Sequence, residues 1–471
     1  MRSTRPRPAL SREPAAESAW SHVRATVCVS VVQPGCLLLL HGRGLLQRGR
    51  GYNPLDNKTA RSVRKQAYSW PTFSRCSLHF GLISVSTHWA TSSIGLSRGM
   101  AMNRKEIQHG SWVFVKGTIR FLFMVVNNLV AIPSYVLYLI VLQPLKLIDC
   151  KLFWHIEGIM FKWLLAMVSS WGWTAGYTVV EWGDDVKAIT EDEAMVLVNH
   201  QATGDVCTLM MCLQDKGTVV RHMMWLMEYI FKFTNFGVVS LIHGDFFIRQ
   251  GKAHRDQQLI LLRKHLEKYY RSRDRKWIVL FPEGGFLRKR RETSQSFAKK
   301  NNLPFLKHVT LPRQGATEVI LQTLCAQHEN GAVGDANGAV EKQSGLQWVI
   351  DITIAYHKAK PIDIQTWIIG YRKPTVTHVH YRIYPIKDVP IESEALTKWL
   401  YQRFVEKDEL LAHFYETGAF PPPKGQTVAT SRAMTLDPLW LFFVQLMGFL
   451  SGYMWYNVLE YLYHCLALWE F

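Results

Sequence analysis

The chain is predicted to fold as a covered α/β sheet tied to a membrane at both ends. Three observations carry that prediction. Between Glu193 and Phe414, short apolar runs alternate with amphipathic, helix-compatible stretches, the pattern of a largely parallel or mixed sheet with helices on its faces. Ahead of this region, Thr118–Leu142 is long and apolar enough to cross a bilayer. Behind it, Leu439–Leu459 contains no formal charge at all.

The first 101 residues stand apart. They hold 14 Lys/Arg against three acids, a net of +11, whereas the remaining 370 residues carry +7 of the chain's +18. This leader is rich in Arg, Ser and Gly, has no sustained period, and is expected to be disordered, with Met100 and Met102 as alternative starts.

Residues 112–182 read as N-terminal membrane and interfacial helices. Thr118–Leu142 has one charge, Arg120 near its edge, but Asn127, Asn128 and Pro133 lie in its middle. A straight span and a kinked, re-entrant pair both fit. The next apolar stretch, Trp163–Val180, carries three Trp and two Ser, which suits a helix lying at the interface.

Residues 183–425 form the predicted α/β domain. Expected strands are Ala194–Val198, Val238–Leu241, Phe246–Ile248, Trp277–Phe281, Val349–Ala355, Ile362–Gly370 and Val376–Ile386. Helical spacing fits Asp205–Gln214, Met223–Phe233, Asp256–Tyr270, Thr317–Gln327 and Glu392–Phe414. Gln327–Gly345 reads as a surface loop. A C-terminal transmembrane helix is expected over 438–462. Lys424 and Arg432 precede it while only Glu460 and Glu470 are charged after it, so the α/β domain should face the cytosol.

The eight Cys are scattered without zinc-site spacing, and His378-x-His380 lacks a third ligand, so no metal is expected. A reduced, cytosol-facing domain fits better than a disulfide framework.

Chemistry centres on Asn199-His200-x4-Asp205, where an apolar run ends and a helix-compatible stretch begins. Five helical steps rotate by about 140°, and five strand steps separate the two side chains by roughly 16 Å. A strand ending at His200, a turn through Gly204 and a helix from Asp205 would bring them together. The Asp would then hold one imidazole nitrogen and leave the other as a general base. Taken alone, the pair is equally a buried His and a helix-capping Asp.

Three further strand ends carry polar groups. The first is His243-Gly244-Asp245-Phe246-Phe247-Ile248-Arg249-Gln250. The second is Trp277–Gly285, a buried strand breaking into Phe281-Pro282-Glu283-Gly284-Gly285, and the third is Leu306-Lys307-His308-Val309-Thr310-Leu311-Pro312-Arg313. Glycine turns let backbone approach a phosphate or a bound acceptor. Basic clusters at Arg271–Lys276 and Arg288–Arg291 suit an anionic leaflet or phosphates. They lack the interleaved aromatics of an RNA-binding surface, so no nucleic-acid partner is expected.

In this order the four blocks resemble those of the glycerolipid acyltransferase family, over about residues 110–460. The resemblance implies that family's glycerol-phosphate-acyltransferase-like sheet covered by helices, and a membrane enzyme moving a fatty acyl group from acyl-CoA to a lysophospholipid hydroxyl. It implies His200 as general base and Asp205 as its orienting partner. Arg249, Glu283, Gly284, Gly285, Pro312 and Arg313 would bind substrate. Acyl-CoA is expected as co-substrate with no cofactor, and the endoplasmic-reticulum membrane as location. Lysophosphatidylglycerol is the first acceptor it suggests, with lysophosphatidylethanolamine the nearest alternative.

Two places depart from the family pattern. The second block usually ends Ile-x-Arg, but Arg249 follows Ile248 directly and Gln250 takes the usual Arg place. The third usually continues Thr-Arg, where Gly285 and Phe286 stand here. Both departures bear on phosphate contacts and spare the His/Asp pair. The rival enzyme class, a hydrolase, would need a nucleophile elbow such as G-x-S-x-G on a strand-to-helix turn, which residues 183–425 lack; the one match, Gly95–Gly99, lies in the leader. A non-catalytic lipid-binding protein is the second rival.

Overall fold

The computed structural model describes residues 104–325, 345–422, 427 and 429–468. The leader and the loop expected at 327–345 (but for Gly345) lie outside the described residues. Three helices open the described chain: α1 (Arg104–Val141), α2 (Gln143–Ile148) and α3 (Cys150–Thr174). Strand β1 (Thr178–Gly183) follows, then β2 (Ala194–Val198), α4 (Gly204–Cys212), β3 (Met223–Glu228), α5 (Asn235–His243) and β4 (Phe246–Ile248). The middle of the chain forms α6 (Arg255–Tyr269), β5 (Trp277–Leu280), α7 (Leu287–Lys300), α8 (Gln314–Cys325) and β6 (Trp348–Tyr356). The chain closes with α9 (Ile364–Ile369), β7 (Val376–Pro385), α10 (Ser393–Thr417), β8 (Ser431–Ala433) and α11 (Pro438–Ala467).

Among the described residues, eight strands make one mixed sheet in the order β4-β3-β5-β2-β6-β7-β1-β8. The first five are mutually parallel, β7 runs against β6, and β8 runs against β1. Every residue of β2 and β5 is buried, as expected of central parallel strands covered on both faces. Alternation then divides them. Ala194, Val196, Val198, Trp277 and Val279 join the core under α3 and α4, while Met195, Leu197, Ile278 and Leu280 pack toward α6, α8 and α10. Because β2 to β6 are parallel, the loops after β2, β3, β4 and β5 leave from one edge. That edge carries the site.

Among the described residues, three helices are long and apolar enough to cross a membrane: Gly110–Val141, Cys150–Thr174 and Pro438–Ala467. α1 is continuous through Pro133, so the first apolar segment forms one helix. α3 replaces the interfacial helix expected at Trp163–Val180. It starts earlier, buries most of its length against the sheet, and is succeeded by β1. Its close fit uses Gly172, where an added Cβ would lie 2.1 Å from the Trp367 ring. Arg120 turns inward, donating to Ile368 O at 2.9 Å and to the carbonyl of Trp171. α11 packs on both neighbours through Trp163 Nε1 to Val444 O (3.0 Å) and Tyr138 Oη to Ser451 Oγ (2.9 Å).

Three expected elements change type. Met223–Phe233 is strand β3 and a 3-10 turn, because its apolar residues run consecutively and fill the sheet between β4 and β5. Val238–Leu241 and Ile362–Gly370, expected as strands, lie in α5 and α9. Both helices are set by local caps: Thr234 accepts from Gly237 N and Asp363 from Thr366 N, and Gly244 and Gly370 close them with positive φ.

Candidate active site

The turn after β2 brings His200 and Asp205 together. Nδ1 of His200 lies 2.9 Å from Asp205 Oδ2. Asp205 is fully buried and its carboxylate is saturated: Oδ2 also accepts from Gln201 N (2.6 Å) and Ala202 N (2.9 Å), and Oδ1 accepts from Tyr356 Oη (2.5 Å). With Nδ1 donating to this anion, Nε2 is the nitrogen left to take a proton. Asn199 ties the strand end to β6, donating to Ile354 O at 3.1 Å and accepting Ile354 N at 2.7 Å. Gly204 permits the turn, since its Cβ would sit 2.1 Å from Ile362 O.

Two rings wall the imidazole. Phe281 stacks on His200 with centroids 4.1 Å apart, and Phe286 leans on it at 4.4 Å. The His200 side chain keeps 13% of its surface exposed. A base with apolar walls and one open side favours an amphiphilic hydroxyl over bulk water.

The third block grips the first through its backbone. Glu283 Oε1 accepts His200 N at 2.7 Å, and Leu287 N donates to His200 O at 2.8 Å. The other oxygen, Oε2, accepts Thr310 N at 2.9 Å and Thr310 Oγ1 at 2.8 Å. Burial pushes the Glu283 carboxyl up to about 8, against the pull of its His200 and Thr310 donors. Glu283 therefore joins three blocks from inside, and its carboxylate is not presented to a ligand as the sequence suggests. Asp408 of α10 holds the adjoining loop by accepting Lys307, His308 and Val309 N–H groups.

Gly284 (φ +67°) and Gly285 (φ +156°) form the glycine turn. Their missing side chains admit two guanidiniums: a Cβ on Gly284 would lie 3.0 Å from Arg313 Cζ, and one on Gly285 would lie 2.9 Å from Arg290 Nε. Arg290 donates to Gly284 O at 2.8 Å and to Gln250 Oε1 at 2.5 Å. Pro312 is buried, and Arg313 N donates to Pro282 O at 2.8 Å. Burial first, then Arg290 and Arg255, pull the Arg313 guanidinium below its usual range. Among the described residues no ion pair joins Arg255, Arg290 or Arg313 to a carboxylate. Clustered cations without counterions are arranged for an anion.

β4 does end at Ile248, but Arg249 lays its guanidinium 4.0 Å from the centre of the Tyr229 ring. Among the described residues no contact joins it to Arg290 or Arg313, so the fold does not bring Arg249 together with the cations of the glycine turn. Gln250 faces the glycine turn instead. The cation that does stand at this turn is Arg290, four residues past Phe286 and third in the basic run. Sequence reading placed that run near phosphates without singling out Arg290. One helical turn from Phe286 to Arg290 was the available signal.

Other groups lie elsewhere. His378 Nδ1 meets Trp182 Nε1 at 3.0 Å, and His380 packs against Phe420, with burial pulling it down to about 4. Among the described residues no three His, Cys, Asp or Glu side chains converge to hold a metal ion.

Comparison with known proteins agrees with these blocks. Residues 180–326 match the model of the family described as Acyltransferase, and 367–443 that described as Acyltransferase C-terminus. Acyl-CoA:lysophosphatidylglycerol acyltransferase 1 from Homo sapiens is 72% identical over 369 residues, spanning 78% of this chain and 100% of the relative. The Mus musculus protein of the same name is 70% identical over the same shares. A Caenorhabditis elegans protein named as a putative 1-acyl-sn-glycerol-3-phosphate acyltransferase is 32% identical, over 62% of this chain and 75% of its own. The crystal structure of the Thermotoga maritima 1-acyl-sn-glycerophosphate acyltransferase aligns with 60% of this chain and 96% of its own, at 13% identity and a TM-score of 0.32.

Proposed function

This chain belongs to the acyltransferase family, and from that premise we propose that it transfers a fatty acyl group from acyl-CoA to a free hydroxyl of lysophosphatidylglycerol or a closely related lysophospholipid. The observation that carries the reading is the His200–Asp205 pair, set between Phe281 and Phe286 beside a cluster of unpaired arginines. Lysophospholipid acylation accords with the names of the relatives at 72% and 70% identity.

In this mechanism Nε2 of His200 takes the proton from the acceptor hydroxyl as its oxygen attacks the thioester carbonyl carbon. The C–O bond forms, the C–S bond breaks, and the CoA sulfur leaves with the proton returned from Nε2. No acyl-enzyme forms. Asp205, fixed by two amides and Tyr356, stabilises the imidazolium without needing to move. Arg290 and Arg313 hold the acceptor phosphate, with Gly284 and Gly285 keeping space for them. Glu283 acts one step back, as a positioning residue for His200.

We place the protein in the endoplasmic-reticulum membrane with the α/β domain facing the cytosol. The charges around α11 support that orientation. Acyl-CoA is soluble while the acceptor is a membrane lipid, so the site belongs at the interface.

The test is an acceptor panel. Purified full-length protein receives one labelled acyl-CoA and lysolipids differing only in head group and acyl position. Acceptor-dependent CoA release, fastest with lysophosphatidylglycerol, is expected. Equal release without acceptor would make the protein a thioesterase, and equal rates on every head group would remove the named substrate.

A further inference from the structure

We infer that the segment from Tyr229 to Leu241, between β3 and β4, is a second membrane contact that dips into the lipid surface beside the active site. It leaves the sheet at the edge that carries His200. Loops at such an edge are ordinarily polar. Here the sixteen residues Tyr229–Gly244 contain no carboxylate and one Lys. Ile230 is 59% exposed and Phe233 70%, with Phe231, Val238 and Leu241 also exposed. Five large apolar side chains turned outward on one segment are far from the scattered exposure of a soluble surface.

The occupant is a bilayer rather than a second protein for two reasons. First, α5 packs directly on α3: the His243 ring stacks on Phe161 at 3.4 Å. α3 in turn carries α1 and α11, so the patch continues an apolar helical layer suited to lipid. Second, the patch carries cations and no carboxylate. Lys232 lies within it, and Arg249 stacks on Tyr229 at its border, beside a cavity of about 340 Å³ also lined by Phe246, Phe247, His254 and Gln258. Exposed apolar side chains accompanied by cations such as Lys232 and Arg249 are the composition of an interfacial anchor on an anionic leaflet. Such a contact fixes the height of His200 over the membrane, so the acceptor's hydroxyl can be reached without withdrawing its acyl chain. The inference uses the proposed reaction only for its kinetic readout.

The test places a photoreactive benzoylphenylalanine at Phe233 in the full-length protein, in nanodiscs containing phosphatidylglycerol. The same probe at Gln402, exposed on α10, is the control. A lipid adduct at 233 and none at 402 is expected. A chain-to-chain adduct at 233, or no lipid adduct in nanodiscs, would overturn the inference whatever the acceptor proves to be. Alongside, the double variant I230D/F233D should raise KM for a bilayer-embedded acceptor by roughly five- to tenfold, as expected for loss of an interfacial contact. A short-chain, water-soluble acceptor should be turned over unchanged. Equal loss on both acceptors would assign these side chains to folding and count against the inference.

Discussion

Glu283 and His200 are joined through the His200 backbone: the carboxylate accepts its N–H at 2.7 Å, while the chain four residues on returns a donor to its carbonyl. Glu283→Gln would turn an amide NH2 toward either the His200 or the Thr310 donors, leaving a buried N–H unpaired at a cost of about 1–3 kcal/mol. Turnover should fall while KM for the acceptor stays close to its original value, because Glu283 positions the base without touching the ligand. A rise in KM alone would return Glu283 to the acceptor site.

The same residue sets a pH trend. Its folded carboxyl is pushed by burial from 4.5 up to about 8, so the folded state binds the extra proton between those values. Its contribution to stability is full below pH 4.5 and is lost as pH rises through about 8. The melting-temperature difference between the native chain and Glu283→Gln should therefore shift against the native chain over that window. A difference independent of pH would show that Glu283 does not change its ionisation on folding.

Tyr356→Phe removes the partner of Asp205 Oδ1 and leaves the His200 contact in place. A hydrogen bond to a charged group is worth about 1.5–3 kcal/mol. We expect kcat to drop by about tenfold or more, whereas His200→Ala should cost about 100-fold or more as a lost general base. Equal activity in Tyr356→Phe would mean the two backbone amides suffice to hold Asp205.

Arg290→Gln should raise KM for the acceptor with little change in kcat, and should weaken the salt dependence of acceptor binding. Arg288→Gln, in the same basic run, is the control for general charge. Gln250→Arg in the Arg290→Gln background exchanges the two hydrogen-bonded side chains, and recovery of KM would establish that the two positions share one site. No effect from Arg290→Gln would take the acceptor phosphate away from this turn.

How much was legible in the sequence divides along physical lines. β2, β4, β5, β6 and β7 were readable because buried strands announce themselves as short apolar runs. α5 and α9 were not, although Thr234 with Gly244 and Asp363 with Gly370 are cap pairs. Short apolar runs fit either element, and here the local caps decide for helix. The His200–Asp205 geometry was legible because neither helix nor strand unites that spacing. The direction of the Glu283 carboxylate was not, since it depends on Thr310, which sequence separates by 27 residues and only the fold brings near. Arg249 and Gln250 differ by one residue, and one residue decides the side a chain faces.

Gly204 offers the sharpest check on the turn itself. An added Cβ would meet Ile362 O at 2.1 Å, a backbone atom that cannot rotate away. The Gly204 N–H also donates to that carbonyl at 3.1 Å, so the clash falls on the bond that docks α4. Gly204→Ala should cost about 1–3 kcal/mol in overpacking and displace Asp205 from His200, lowering both melting temperature and kcat. Gly448→Ala is the matched control. It lies in α11 with nothing within 4 Å of an added Cβ, where Ala is favoured over Gly in a helix by about 0.5–1 kcal/mol. A Gly204→Ala protein with unchanged turnover would mean the His/Asp geometry does not depend on this approach of α4 to the chain before α9.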